Sequence, residues 1–173
     1  MWSHFFSCGR QGQPLHTHQT RQKVEKDGIA IIIENESLRQ LHLKQSQSWS
    51  GTKGHYQIPE QIKPGELVVF DVKREAIMRT QGVVVYQITD PNPDHPEYVL
   101  IIGWSNPHTQ EPLKQAFVKI MPLEDYQNTS WDKIHSWLDQ SSGQSHSTAN
   151  GYLAYAKAIE RGSLPLWVNC LKS

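Results

Sequence analysis

Apolar residues in this chain gather into short runs separated by glycine, proline and polar turns, a spacing that predicts β-strands. The run Ile29-Ala30-Ile31-Ile32-Ile33 follows Gly28 and reads as a buried, β-branched strand. Leu41, Leu43 and Gln45 alternate with His42 and Lys44, the period of a half-buried strand. Leu67-Val68-Val69-Phe70-Asp71-Val72 follows the turn signal Pro64-Gly65. Gly82-Val83-Val84-Val85-Tyr86-Gln87-Ile88 is stopped by Pro91, Pro93 and Pro96. Tyr98-Val99-Leu100-Ile101-Ile102 and Ala116-Phe117-Val118-Lys119-Ile120 come next. Two more runs, 152–159 and 164–171, are joined through Arg161-Gly162-Ser163, a hairpin connection. Strands this short and this closely spaced predict a mainly β fold, a single antiparallel β-sandwich, rather than βαβ units. Packing of that kind places Ile31, Ile33, Val69, Val84, Tyr86, Ile101 and Val118 in the core.

One segment changes period. From Trp131 to about Gln140, the residues Trp131, Ile134, Trp137 and Leu138 fall on one helical face. Asp132, Lys133, Ser136 and Asp139 lie largely opposite. Asn128, Thr129 and Ser130 offer capping oxygens, and Thr129 with Asp132 has the form of a capping box. The two indoles on this face are read as packing residues, with the helix lying on a sheet. The Ser- and Gly-rich stretch 141–148 reads as a connection. At the other end, 9–22 is crowded with Gln, His and Thr and has no apolar period. The expected organisation is a polar N-terminal arm over 1–22 and a β-sandwich domain over 23–173.

Composition narrows the classes. Seventeen basic residues balance seventeen acidic ones over 173 residues, so no net field attracts nucleic acid or an anionic membrane. The longest wholly apolar run is five residues, far short of a transmembrane span. The start has neither a basic n-region nor an apolar h-region. Cys8 and Cys170 make one possible pair and no disulfide framework. A cytoplasmic or nucleocytoplasmic setting is the expectation. His16-Thr17-His18 has metal-ligand spacing but no matching carboxylate or thiol motif, so it reads as a solvated pair and no metal is expected. No nucleophile elbow, dinucleotide fingerprint or phosphate loop is present, and no cofactor is expected.

The informative motif is a Trp-Ser step that occurs twice at a strand end. Ser48-Trp49-Ser50-Gly51 closes the second run, and Trp104-Ser105-Asn106-Pro107 closes the fifth, Tyr98 to Gly103. An indole beside Ser, Asn and Gly can form an apolar shelf with hydrogen-bonding groups at its edge, which suits a sugar or a polar headgroup. If both turns reach the same end of the sandwich, the candidate binding residues are Trp49, His55, Tyr56, Trp104, Ser105, Asn106 and His108.

The sequence resembles the plant 23-kDa jasmonate-induced protein family. The matching features are Trp49-Ser50-Gly51 with Pro59-Glu60-Gln61-Ile62, Gly65-Glu66 leading to Phe70, and the Gly82 to Gln87 strand. Further matches are Gly103-Trp104-Ser105-Asn106-Pro107, Trp131-Asp132-Lys133-Ile134, Asn150-Gly151-Tyr152 and Gly162-Ser163-Leu164-Pro165-Leu166-Trp167. The resemblance spans roughly 28–171, and the arm departs from the family pattern of a longer, helix-like lead. It implies a stress-responsive plant protein and supplies no catalytic residue. More distantly, 29–37 with Trp49 is similar to the opening of aegerolysin and actinoporin-like β-sandwich proteins, which bind lipid headgroups or glycans.

The expected function is therefore lectin-like: a binding protein that recognises a carbohydrate or related polar ligand through aromatic turns. Peripheral binding of a lipid headgroup is one alternative. Pore formation ranks below it, because Gly9, Gly12 and Pro14 make the arm a poor amphipathic helix. The enzymatic alternative is cofactor-independent proton transfer, isomerisation or cyclisation. It would draw its base from His42, His55 or His108, the histidines read as closest to the aromatic turns.

Overall fold

In a computed structural model, the described residues are 28–50, 57–73, 80–90, 92, 94–106, 115–158 and 165–172, with residues 28, 73 and 165–172 described by backbone alone. They form ten strands and two helices. The strands are β1 (Gly28–Asn35), β2 (Leu41–Ser50), β3 (Gln61–Ile62), β4 (Leu67–Lys73), β5 (Thr80–Ile88), β6 (Tyr98–Asn106), β7 (Gln115–Pro122), β8 (Gln144–Ala149), β9 (Tyr152–Ala158) and β10 (Pro165–Lys172). The helices α1 (Leu123–Gln127) and α2 (Trp131–Asp139) lie between β7 and β8. The strands build two five-stranded sheets, ordered β4-β1-β10-β9-β8 and β3-β2-β5-β6-β7. Pairing is antiparallel throughout except for β1 with β10, which run parallel. The fold is the expected β-sandwich.

Strand alternation divides the apolar residues between two cores. Between the sheets, Ile29, Ile31, Ile33, Phe70 and Val72 meet Leu41, Val84, Tyr86, Ile88, Leu100, Ile102, Trp104, Val118 and Ile120. Burying each such aliphatic side chain contributes about 1.5–3 kcal/mol. The other face of the second sheet carries Val83, Val85, Val99, Ile101 and Phe117, covered by Tyr126 of α1 and by Ile134 and Leu138 of α2. Leu138 comes in over Gly103, where a β-carbon would already stand 3.4 Å from its Cδ1. Of the seven residues expected in the core, six are buried. The exception is Val69, which is 55% exposed. It alternates with inward-facing Val68 and Phe70 on the edge strand β4, so its side chain leaves the sheet on the open side.

Three elements escaped the sequence pattern. β3 is a two-residue bridge and α1 is a single turn after Pro122. β8 falls where a connection was expected. Its apolar content is low, but Ser145 Oγ accepts from Val118 N–H (3.2 Å) and Ser147 Oγ from Ile120 N–H (2.9 Å). Serines thus satisfy the free edge of β7 where the two sheets meet. β8 turns into β9 through Asn150 and Gly151, both at positive φ (48° and 77°), the conformation that a two-residue hairpin requires. The α2 cap also differs from the expected box. Ser130 is the capping residue, accepting from Lys133 N–H, while Thr129 Oγ1 donates to the Asp125 carbonyl at 2.7 Å.

Candidate functional site

The two Trp-Ser steps end β2 and β6 at the same end of the second sheet, but their indoles stand on opposite faces of it. Trp104 pairs with Gly82 and points between the sheets, 1% exposed, edge-on to Phe70 at 6.3 Å. Trp49 packs on the outer face beside α2. A single shelf made of both indoles is therefore not formed, and Trp104, a core residue, offers no open stacking face. The division arises in β2. A register shift between Leu43 and Gln45 places one extra residue in the strand, so the parity that turns Leu41 and Leu43 inward is reversed before Trp49.

What surrounds Trp49 comes from α2. Trp131, His135 and Asp139 recur at i, i+4 and i+8 on the helix flank that overlooks β2. The His135 imidazole stacks on Trp49 (4.5 Å between centroids, 27° between planes), and Trp131 meets Trp49 edge-on (6.4 Å, 75°). All three rings are half-buried. Asp139 borders them. Its Oδ2 lies 3.8 Å from His135 Nε2, and its Oδ1 accepts from Gln81 Nε2 at 3.0 Å. Gln81 is anchored on the sheet row shared by Ser50 and Ser105. The helix end is held by Gln115 Nε2, which donates to the Asp139 and Ser141 carbonyls at 3.0 and 3.3 Å. At the foot of the shelf, Ser50 Oγ and His135 Nε2 have no hydrogen-bond partner among the described residues. The result is an aromatic corner with a fixed carboxylate and amide at its rim.

The remaining candidates distribute as follows. Ser105 shares the Gln81 row and is buried, whereas Asn106 turns to the inner face with Thr80 opposite. His42 lies on the same outer face as Trp49 but at the far end of β2, beside Gln87, roughly 20 Å away at strand rise. It is thus not a neighbour of either aromatic turn. His55, Tyr56 and His108 lie outside the described residues, as do the arm and His16-Thr17-His18. The histidine that does meet a turn indole, His135, was missed in the sequence because helical periodicity marked only the apolar residues around it. Its signal was the spacing Trp131, His135, Asp139. Among the described residues, no group of three or more His, Cys, Asp or Glu is placed to hold a metal ion. No described helix is long and apolar enough to cross a membrane.

A second aromatic feature lies on the opposite flank of α2. Trp137 stacks on Phe117 (6.2 Å), and the ammonium groups of Lys119 and Lys133 sit 4.7 and 5.6 Å from its ring centroid.

The chain is similar in fold to the lipid-binding protein Nakanori. The two superpose with a TM-score of 0.67 at 19% identity, over 86% of this chain and 72% of that one. A Xerocomus chrysenteron lectin superposes less closely, with a TM-score of 0.48 at 10% identity over 84% of this chain and 99% of the lectin. No family model matches the sequence, and no curated protein is similar to it. The Nakanori likeness shows the β-sandwich fold.

Proposed function

We propose that the protein is a non-enzymatic recognition protein that binds a carbohydrate on the Trp49–Trp131 shelf. The observation that carries this reading is the pair of indoles at 6.4 Å and 75°, with a carboxylate held at their rim by Gln81. An indole face stacks on the apolar C–H face of a sugar, and a positioned carboxylate accepts from its hydroxyls. Trp49 and Trp131 supply the stacking surface, Asp139 and Gln81 orient the ligand, and His135 backs the Trp49 ring. Ser105 supports the Gln81 row from the neighbouring strand. His55, Tyr56 and His108, close to the two turns in sequence, complete the proposed set. The stress-responsive plant role and the cytoplasmic setting rest on the sequence reading alone and stay with this proposal.

Peripheral recognition of a lipid headgroup is the second reading, favoured by the two lysine ammonium groups beside Trp137 and by the lipid binding of Nakanori. A glycan array read in parallel with sedimentation on lipid vesicles separates the two. The carbohydrate reading expects array signals that Asp139→Asn reduces, and vesicle binding only where the lipid carries a sugar. An array without signal, together with binding to sugar-free anionic vesicles that Lys119→Ala abolishes, replaces it with the headgroup reading.

A further inference from the structure

Each sheet has two edges, and among the described residues three of the four are managed. The β7 and β8 edges meet, where Ser145 and Ser147 take β7 N–H groups. On the β2 side, β3 is only two residues long, and β2 itself is polar over 44–48 and broken by two register shifts. β4 has none of these devices. It runs for seven residues against β1 in unbroken register, contains no proline, and has no described strand on its other side. Its Leu67 and Val69 are the most open of the exposed large apolar side chains on described strands, at 49% and 55%. The backbone of β4 is arranged in the same sense. Asn35 N–H donates to the Glu66 carbonyl at 2.9 Å, which makes 35 and 66 a bonded pair of the antiparallel ladder. Bonded pairs alternate, so Val68, Phe70 and Val72 bond to β1, while Leu67, Val69 and Asp71 turn their N–H and C=O groups to the open edge.

This edge is complementary to itself. Two copies of β4 set antiparallel about a twofold axis through Val69 place Val69 opposite Val69 and Leu67 opposite Asp71. Outward backbone groups then meet outward backbone groups at every bonded pair. Ile32 of β1 is the partner of Val69 on the same sheet face, so the axis extends that row to four adjacent apolar side chains, two from each copy. An extended peptide from another protein would match the backbone but would not bring a second Ile32. Charge does not oppose the contact. Asp71 meets Leu67 rather than another carboxylate, and the chain balances 17 basic against 17 acidic residues, so no net charge drives the copies apart.

We propose that β4 is a self-association edge, where a second copy of this chain adds its own β4 antiparallel and joins the two five-stranded sheets into one. A single short strand pair makes a small interface, so the association is weak and reversible. The test is sedimentation equilibrium of the full chain from about 1 μM to about 1 mM, where the mass should rise from one copy of 19.9 kDa towards two. Val69→Lys sets two like charges against each other on the axis and should weaken the dimer at least about tenfold. Val69→Pro removes an N–H that faces the open edge and is not used by β1, and should also abolish the dimer. Leu153→Lys, on the same sheet face but on β9, should leave the dimer unchanged. Near-UV circular dichroism checks that each variant is folded. A chain that stays monomeric throughout the range overturns the proposal. So does a dimer that persists in folded Val69→Lys and Val69→Pro. A dimer lost in Leu153→Lys as readily as in Val69→Lys overturns it in favour of stacking through the sheet face.

Discussion

Replacing Gly82 by alanine tests the inner core where strand pairing and side-chain packing are in closest conflict. A β-carbon at this position would lie 2.8 Å from Trp104 Cζ2, 3.0 Å from the Gln47 carbonyl oxygen and 3.2 Å from Trp104 Cε2. Two effects oppose each other. Alanine restricts the unfolded chain and favours the strand by about 0.5–1 kcal/mol. Forcing a methyl group against a backbone carbonyl and a fully buried indole costs about 1–3 kcal/mol. The indole has little room to swing clear, because Phe70 packs edge-on to it and Trp104 is 1% exposed. Overpacking therefore wins, and the net loss is about 1–2 kcal/mol. For a chain of this length that lowers Tm by roughly 2–8 °C. Differential scanning calorimetry with urea unfolding reads it directly. A variant as stable as the parent, or more stable, would show that Trp104 is not wedged over Gly82.

Further variants separate the faces of the sandwich. Val84→Asp places an unpaired charge between the sheets and should cost about 3–5 kcal/mol, whereas Val69→Asp on the open side of β4 should cost about 1 kcal/mol or less. Equal melting temperatures for the two would contradict the register of β4 and β5. Asn35→Ala removes donations to the Arg39 and Ile62 carbonyls (2.8 and 3.1 Å) and an acceptor for Ser37 Oγ (2.6 Å). The Arg39 and Ser37 contacts close the turn between β1 and β2, the Ile62 contact ties that turn to β3, and the loss should be about 2–4 kcal/mol in urea unfolding. Asp90 is held below the usual carboxylate range, first by the Asn92 N–H and then by His95 and Arg39. A lowered folded-state value means that Asp90 contributes stability above its unfolded value and loses it as pH falls through the folded one. Asp90→Asn should therefore lower Tm at neutral and basic pH and converge with the parent at acid pH, which flattens the acid side of the Tm–pH curve.

The sequence made the strands legible wherever apolar residues ran together, because a run such as Val83-Val84-Val85 is buried on both faces of a covered sheet. It failed at β8, whose inward residues are serines chosen to bond the β7 edge rather than to fill a core. Val69 was misplaced because a Val-Val pair on an edge strand sends one side chain each way, and only the pairing order identifies the edge. The site was half visible. Trp49 and the Trp-Ser motif point to the end of the second sheet where the Trp49–Trp131 corner lies. The parity reversal in β2, which parts Trp49 from Trp104, comes from a bulge that leaves no mark in composition. His135 and Asp139 were hidden by the reading of α2 as a packing helix, which it also is. Its inward stripe of Ile134 and Leu138 covers the sheet while one flank builds the shelf.

The most direct test of the proposed function is the affinity of Trp49→Ala for whichever glycan binds the parent protein, measured by isothermal titration calorimetry. Trp49 stands half-buried at the edge of the outer core, so the variant should remain folded. Loss of a stacking indole in a recognition site costs about 2 kcal/mol or more, a drop of roughly thirtyfold. The shelf reading predicts that drop for Trp49→Ala and a comparable one for Trp131→Ala. Parental affinity in both folded variants contradicts it, and the glycan site then lies elsewhere on the sandwich.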